Sequence, residues 1–529
     1  MEDDNIWQWD TVFNCFRPQR FCPHCSEKLD DLQVSQAKIA LCPHCLNSFE
    51  WRILTHESGA EIPWPHRPGH AYCTLTGERI WQRSPFDWTE YGGGPTRTHS
   101  VLDVEQQLFG QPKRFFQWNL QSKWHLDFIH PALDKANHQI CALNILRGEL
   151  YVSFQNGYLA RYSNIMNRTA ESLRDTVTMY HSSNHLIDIE PETYNYPAFV
   201  GDYALVVGVQ ESRGCALLRF LDQPAQAPPI EIRVRAPGPN VKFWGPALTF
   251  GEGDFGFVLV EARMLSDRFE PCGLQVILPD IEAEGGYRIP DWAQHPLFEA
   301  HLPRLRQPPI YVRDSNPAAS VIVFLLDRMD MLCVQPSSGH VFYVQSSHLE
   351  TAGLIPTPCF TVYSSGSTHV LYSCIEIENE LRYVFSEPWS TSDRLIQWRL
   401  VNMSIENTVK TGIGTLGVNT GAKLAADQAW AHLYGNKLSY QNVYMSSDSS
   451  RHMVLCGAGV IFIQDGHLTI RNDNHGWRLY DSALANNRVL LNPQGPNALG
   501  SIAMCGRVIF VSTGVGLHCV ELVGEGGSL

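Results

Sequence analysis

The sequence has no run of Lys or Arg, no long apolar stretch and none of the short motifs of common catalysis. Forty Lys and Arg stand against 54 Asp and Glu, a formal charge of −14. An acidic chain without clustered cations is a poor match for broad attachment to phosphate backbones. The longest clean apolar run, 320–326, is far short of the ~18–20 residues that a membrane span needs. The opening MEDDNIWQWD is acidic and has no basic segment leading into an apolar one, so it does not read as a signal peptide, and the expected location is cytoplasmic. No Gly-Lys phosphate loop, no GxSxG elbow and no HExxH helix occurs. Paired carboxylates for sugar cleavage can lie far apart in sequence, and no particular pair stands out.

What is present describes a folded protein: 44% of residues are hydrophobic and 18% charged. At 529 residues the chain is too long for one ordinary core, so two or three domains are expected unless a large repeat fold takes most of it. Fifteen cysteines raise the question of disulfides, yet only four are grouped. The others, such as Cys141, Cys215, Cys374 and Cys456, stand in apolar, strand-like runs and read as buried thiols.

The four grouped cysteines form the only stretch where residue type and spacing together define a chemistry. Cys22-Pro-His-Cys25 and Cys42-Pro-His-Cys45 are separated by 16 residues. Two thiolates at i and i+3 in a tight turn grip one face of a tetrahedral ion, and the second turn grips the other. Proline after the first cysteine presets the turn. Residues 37–41 are expected to run as a strand into the second turn, and 48–53 as a strand out of it. So small a module buries little, and a metal would supply the missing stability. Four thiolates leave no open position, which predicts a structural Zn2+ on Cys22, Cys25, Cys42 and Cys45, not a catalytic one. A redox CxxC pair is the alternative. Residues 19–55 resemble the zinc-ribbon family, although Ser26 and Leu46 stand where a ribbon usually has glycine. Ribbons dock on nucleic acid or on protein. Residues 1–60 carry five Lys and Arg against nine Asp and Glu, which tilts the expectation towards protein.

Residues 61–139 read as a Trp- and Pro-rich connector with a small strand pair turning near Gly77. His66, His70 and Cys73 lack a fourth ligand and are expected to be ordinary polar positions. Gly92-Gly-Gly-Pro95 is expected to be a flexible joint. The aromatics of 115–118 and 124–128 are expected to pack the connector on the next domain.

From residue 140 onward one loose template recurs: a turn, an alternating strand, a Gly turn and a second alternating strand. Copies fall at 146–162, 200–220, 454–470 and 504–520, with weaker ones at 255–278, 320–344, 370–385 and 425–443. The interval of ~45–65 residues suits a β-propeller of about seven blades over 140–529. Two stacked β-sandwiches would explain the strands but not the period. The final strands are expected to close the ring against an early strand between 115 and 145. Two insertions break the pattern. Residues 222–240 hold five prolines around an outer strand, and 280–309 include a short helix at 290–303 and read either as a binding loop or as a plain surface excursion.

The template resembles the quinoprotein-like propeller repeat. The docking motif of its dehydrogenases is missing, so their activity is not implied. A looser resemblance links the blade pattern and the appended knuckles to propeller proteins of bacterial ternary conflict systems. There it implies a recognition role beside a MoxR-type AAA+ ATPase and a von Willebrand A-domain protein. The expected function is thus a non-enzymatic recognition or scaffold subunit with protein partners. A nucleic-acid-binding ribbon protein and a hydrolase or lyase working in the propeller channel are the alternatives.

Overall fold

The computed structural model describes residues 7–10, 15–18, 22, 29, 39–42, 48–55, 61–66, 71–72, 79–80, 89–90, 118–126, 140–154, 158–163, 177–180, 197–221, 231–251, 255–265, 268–280, 282–347, 360–365, 367–377, 380–404, 453–456, 459–464, 467–472, 488–491, 499–505, 508–513 and 516–524. The repeat at 425–443 and the joint at 92–95 lie outside them.

The recurring template folds into successive antiparallel meanders. Ile140–Leu146, Glu149–Phe154, Leu159–Tyr162 and Val177–Tyr180 pair side by side in chain order. Ala198–Val200, Tyr203–Gln210, Arg213–Phe220 and Glu231–Arg235 do the same, and the last of these is the outer strand expected between the prolines. Val241–Phe250, Gly256–Leu265, Arg268–Pro279 and Tyr287–Arg288 form the next sheet. An eight-stranded sheet holds two meanders, 310–347 and 361–404, joined where 345–347 run parallel to 395–397. Another four-stranded sheet spans 453–490. Leu499–Cys505, Val508–Thr513 and Gly516–Gly524 complete the series, and their fourth strand is Trp118–Leu126.

From 140 to 404 each meander shares its core with the next. Leu146, Tyr151 and Leu159 pack with Phe199 and Ala204. Leu205 and Leu218 pack with Phe243 and Leu259. Val258 and Val260 pack with Ile322 and Phe324, and Val323 and Met331 with Leu371 and Val384. The amide of Leu143 donates to Ser501 Oγ (3.1 Å), which ties the 140–180 meander to the one that contains the last strand. Successive four-stranded meanders stacked face to face, with an early strand completing the final sheet, are β-propeller topology. The fold is mainly β. Among the described residues no helix is long and apolar enough to cross a membrane.

Burial departs from the half-buried alternation read in the sequence. All five residues of Val321–Leu325 and all six of Val508–Thr513 are buried. A strand sandwiched between two neighbouring sheets has no solvent face. Cys333, Cys505 and Cys519 are buried in such strands, and burial pushes the thiols of Cys333 and Cys519 up, away from the reactive thiolate.

Residues 118–126 are the early strand expected between 115 and 145, a strand of the last sheet and not part of the connector. Upstream, Ile39–Leu41 and Ser48–Thr55 form a hairpin with Leu41 opposite Ser48, and Glu61–His66 adds a third strand against 50–55. Ala71–Tyr72 pairs with Arg79–Ile80. Thr89 and Glu90 are fully buried, which places part of the connector on the sheets. The Phe199 amide donates to the Thr89 carbonyl (2.9 Å), and the Thr249 amide and hydroxyl donate to the two Glu90 carboxylate oxygens (2.8 and 3.1 Å).

Candidate functional site

Where the chemistry-bearing side chains sit follows from the order of the strands. In the 310–347 meander the second strand ends, the third begins and the fourth ends at one rim. The segment entering the first strand reaches that same rim, while turns between first and second strands lie at the opposite one.

The 282–309 insertion is built onto the first of these rims. Asp291–Gln294 is a 3-10 turn, and Pro296–His301 is a short α-helix. Pro296 stands at its first position, where a missing N–H is harmless, and His295 Nδ1 caps the Leu297 amide (3.3 Å). Trp292 and Phe298 are buried and pin the insertion to two sheets. Trp292 meets Phe250 edge-on at 6.0 Å between ring centroids, and Phe298 meets Phe324 at 5.3 Å. The helix expected at 290–303 is therefore present.

Its last turn delivers Arg304 to a solvent-open cleft of about 570 Å³ lined by Arg304, Asp327, Arg328, Asp330, Tyr343 and Gln345. Arg304 Nε donates to Asp327 Oδ1 (2.9 Å), one terminal nitrogen to Asp330 Oδ2 (3.2 Å) and the other to His301 Nδ1 (3.3 Å). Burial and the neighbouring Arg304 charge push the His301 imidazole down, so it is neutral near pH 7 and accepts that bond. Asp330 also accepts from the Tyr343 hydroxyl and from the Ser346 amide (2.8 Å). Burial and the bond to Asp330 push the Tyr343 phenol up, which keeps it protonated as a donor.

At the opposite rim His369 joins two meanders. Its Nε2 lies 3.2 Å from Asp314 Oδ2 and its Nδ1 2.9 Å from Ser364 Oγ. Ser, His and Asp in contact suggest a nucleophile. However, the His369 side chain is 0% and that of Asp314 3% exposed, so no substrate reaches the imidazole. His369 and Trp389 also exchange both backbone hydrogen bonds at 2.8 Å. The arrangement is a clamp between meanders. Arg147 and Asp202 (2.6 Å) make a similar tie at the first-to-second-strand turns of the 140–180 and 198–235 meanders.

Glu261 is a further buried acid. It is 7% exposed, its register partners are Phe243 and Gly273, and burial raises its pKa from 4.5 to about 6. The folded state thus holds the proton more tightly than the unfolded one. The stability this gives is full below pH 4.5 and lost as pH rises through about 6. Glu261→Gln is expected to be more stable than the parent by about 1–2 kcal/mol at pH 7.5 and nearly equal to it at pH 4.5. Denaturant titrations at the two pH values check this; an equal difference at both would show that the carboxyl is not the cause.

Of the expected zinc ligands, Cys22 and Cys42 are buried (2% and 0%), together with Leu29 and Phe49. Cys25, Cys45 and the two histidines between the paired cysteines lie outside the described residues. Cys42 directly follows the first hairpin strand. A buried thiol next to a hairpin strand fits the donor set of a thiolate-bound zinc. His66 ends the third strand opposite Glu50, while His70 and Cys73 lie outside the described residues. Arg304, Asp327, Arg328, Asp330 and Tyr343 were not singled out by the sequence. The one signal for them was a short polar break, Asp327-Arg-Met-Asp330, between two apolar runs.

No family model matches this chain, and no curated protein matches it. Solved structures similar to it include the β-propeller domain of Nup133 from Vanderwaltozyma polyspora. That domain is 10% identical over 71% of this chain and 91% of its own, with a TM-score of 0.31. The Cps50 (Swd1) β-propeller domain of Myceliophteria thermophila is 10% identical over 77% and 99%, with a TM-score of 0.28. Quinohemoprotein alcohol dehydrogenase ADHIIG of Pseudomonas putida HK5 is 8% identical over 84% and 81%, with a TM-score of 0.36. At such scores the likeness carries no argument, and the propeller assignment stands on the strand order of this chain.

Proposed function

We propose that this protein is a non-enzymatic recognition or scaffold subunit of a multi-protein complex. Its division would be a zinc ribbon over 1–60, a connector over 61–139 and a seven-bladed propeller over 140–529 closed by the 118–126 strand. The observation that carries the reading is the folded insertion at 282–309. Buried aromatics fix it on two sheets, and it frames an open polar cleft on a rigid rim. A rigid scaffold presenting such a surface suits docking of a partner. The Ser364, His369 and Asp314 contacts support the same reading, since they hold meanders together out of reach of solvent.

The ribbon would be a second docking surface, with Cys22, Cys25, Cys42 and Cys45 holding one structural Zn2+. The metal would supply stability that so small a sheet lacks. The partners we propose are proteins, among them an AAA+ ATPase and a von Willebrand A-domain protein, which would leave ATP hydrolysis outside this chain. The test is affinity purification of the tagged chain from its native host beside a Cys22→Ser/Cys42→Ser form, with metal content measured on both. Near-equimolar protein partners are expected, with about one zinc per parent chain and none in the double variant. A chain that purifies alone overturns the recognition reading, and a zinc-free parent overturns the ribbon.

A further inference from the structure

We infer that the cleft beside the 327–330 turn docks an acidic segment of a partner protein, with one Asp or Glu carboxylate held by Arg328 and Arg304. This rests on the recognition reading above and names the surface and the chemistry it selects.

The turn is built under strain. Met329 has φ +63°, a left-handed conformation that disfavours an L side chain by about 1–2 kcal/mol. Three contacts hold it there. The Trp398 indole donates to the Met329 carbonyl (3.1 Å), the Met329 side chain is fully buried, and Asp330 accepts from Arg304, Tyr343 and the Ser346 amide. The result is that Arg328 stands exposed at the tip of a fixed turn, with no hydrogen bond or ion pair to any described residue. Clamping a strained turn so firmly to display a single unpaired guanidinium points to a ligand for it.

The rest of the cleft says what kind of ligand. Arg304 uses three of its five N–H groups on Asp327, Asp330 and His301, which leaves two for a guest. Asp327 has one oxygen on Arg304 and the other without a donor, and the Gln345 side-chain amide is exposed and unbonded. The guest must therefore bring an acceptor for two guanidinium edges and also N–H donors for Asp327 and Gln345. A peptide with an acidic side chain supplies both from one short segment, since its main-chain amides are the donors. A DNA phosphodiester brings acceptors alone and would set them against the open Asp327 oxygen. Two Arg and two Asp cancel in the cleft, and the chain carries −14, so nothing draws a polyanion from a distance.

The full-length protein is tested against an array of capped peptides about nine residues long with varied flanks, each made with a central Glu and with Gln in its place. Inorganic phosphate and a single-stranded oligonucleotide serve as competitors. A subset of Glu peptides is expected to bind at least about ten-fold tighter than its Gln counterparts, the worth of a charge-assisted pair. Arg328→Gln should abolish that preference and Arg328→Lys should recover only part of it, because an ammonium lacks the fork. Thermal melting of all three proteins should coincide, since Arg328 holds nothing in the fold. Equal binding of Glu and Gln peptides, an unchanged preference in Arg328→Gln, or displacement by the oligonucleotide at low concentration would each overturn the proposal. Should Arg328→Gln still bring down the parent's partners, the cleft assignment fails while the recognition reading stands; a parent with no partner fails the reading itself.

Discussion

Asp314→Ala is expected to destabilise the protein by about 3 kcal/mol. The Asp314 carboxylate accepts from the Asn316 amide (2.8 Å), from Ser315 Oγ (3.3 Å) and from His369 Nε2 (3.2 Å). Hydrogen bonds to a charged group contribute about 1.5–3 kcal/mol, and removing this one strands a fully buried imidazole nitrogen. Burial alone would raise the Asp314 pKa, but the bonds from Asn316, His369 and Ser315 outweigh it and hold the carboxyl below its usual value. Burial pushes His369 down, against the opposing pull of Asp314.

The sign of the pH effect follows. Both groups have folded pKa values below their unfolded ones, so each contributes stability that is complete above the unfolded value and lost as pH falls. For His369 the loss begins below pH 6.5, and Asp314 adds its share only below 3.8. Between pH 6.5 and 5 His369 should weaken the parent while Glu261 strengthens it, so His369→Gln should gain stability relative to the parent as pH falls through that window. The two effects are separated by a double-mutant cycle of Asp314→Ala and His369→Ala, read by denaturant unfolding at pH 7.5 and 5.5. A coupling of at least about 1 kcal/mol at pH 7.5 is expected; simple additivity would show that the contact does not clamp the meanders.

The clamp also marks where sequence reading stops. The repeats at 146–162, 200–220 and 504–520 were legible because a period of two and a Gly turn are local properties, and the strands formed there. Asp314 and His369 are 55 residues apart and meet only because two meanders stack. No local pattern encodes that contact. The cleft was hidden for a like reason. Arg304 ends a helix that could be anticipated, but its partners Asp327 and Asp330 follow a strand, and only the shared rim brings them together. The buried Thr89 and Glu90 were invisible too, since a Thr-Glu pair in a connector reads as solvated polar chain. The knuckles differ in kind, since the zinc site we propose for them rests on the spacing of four cysteines alone.

Removing residues 1–126 should have a far larger effect than removing 1–117, because the nine residues between are the fourth strand of the last sheet. A closing strand was expected between 115 and 145, and the register shows why its alternation was hard to follow. Trp124 and Leu126 face Cys519 and Leu517, whereas Ser122 faces Val520, so Lys123 is an extra residue that flips the pleat. Lys123 reaches Glu521 at 2.6 Å from this bulge, and beyond it Leu120 turns to the other face. A reader following strict alternation loses the strand at that point. Without it, Gly516–Gly524 becomes a bare edge, and cross-strand pairs, main-chain bonds and the buried Leu126 are lost together. The expected loss is on the order of 5 kcal/mol or more, a large share of what keeps a domain folded. The 127–529 chain should melt broadly and associate through the open edge, while 118–529 should keep a cooperative transition. Because the closure is non-covalent, a synthetic peptide of residues 117–127 added in trans should restore the sharp transition of 127–529. Equal melting of the two truncated chains would mean that the ring does not depend on this strand, and that stacking between neighbouring meanders alone holds it closed.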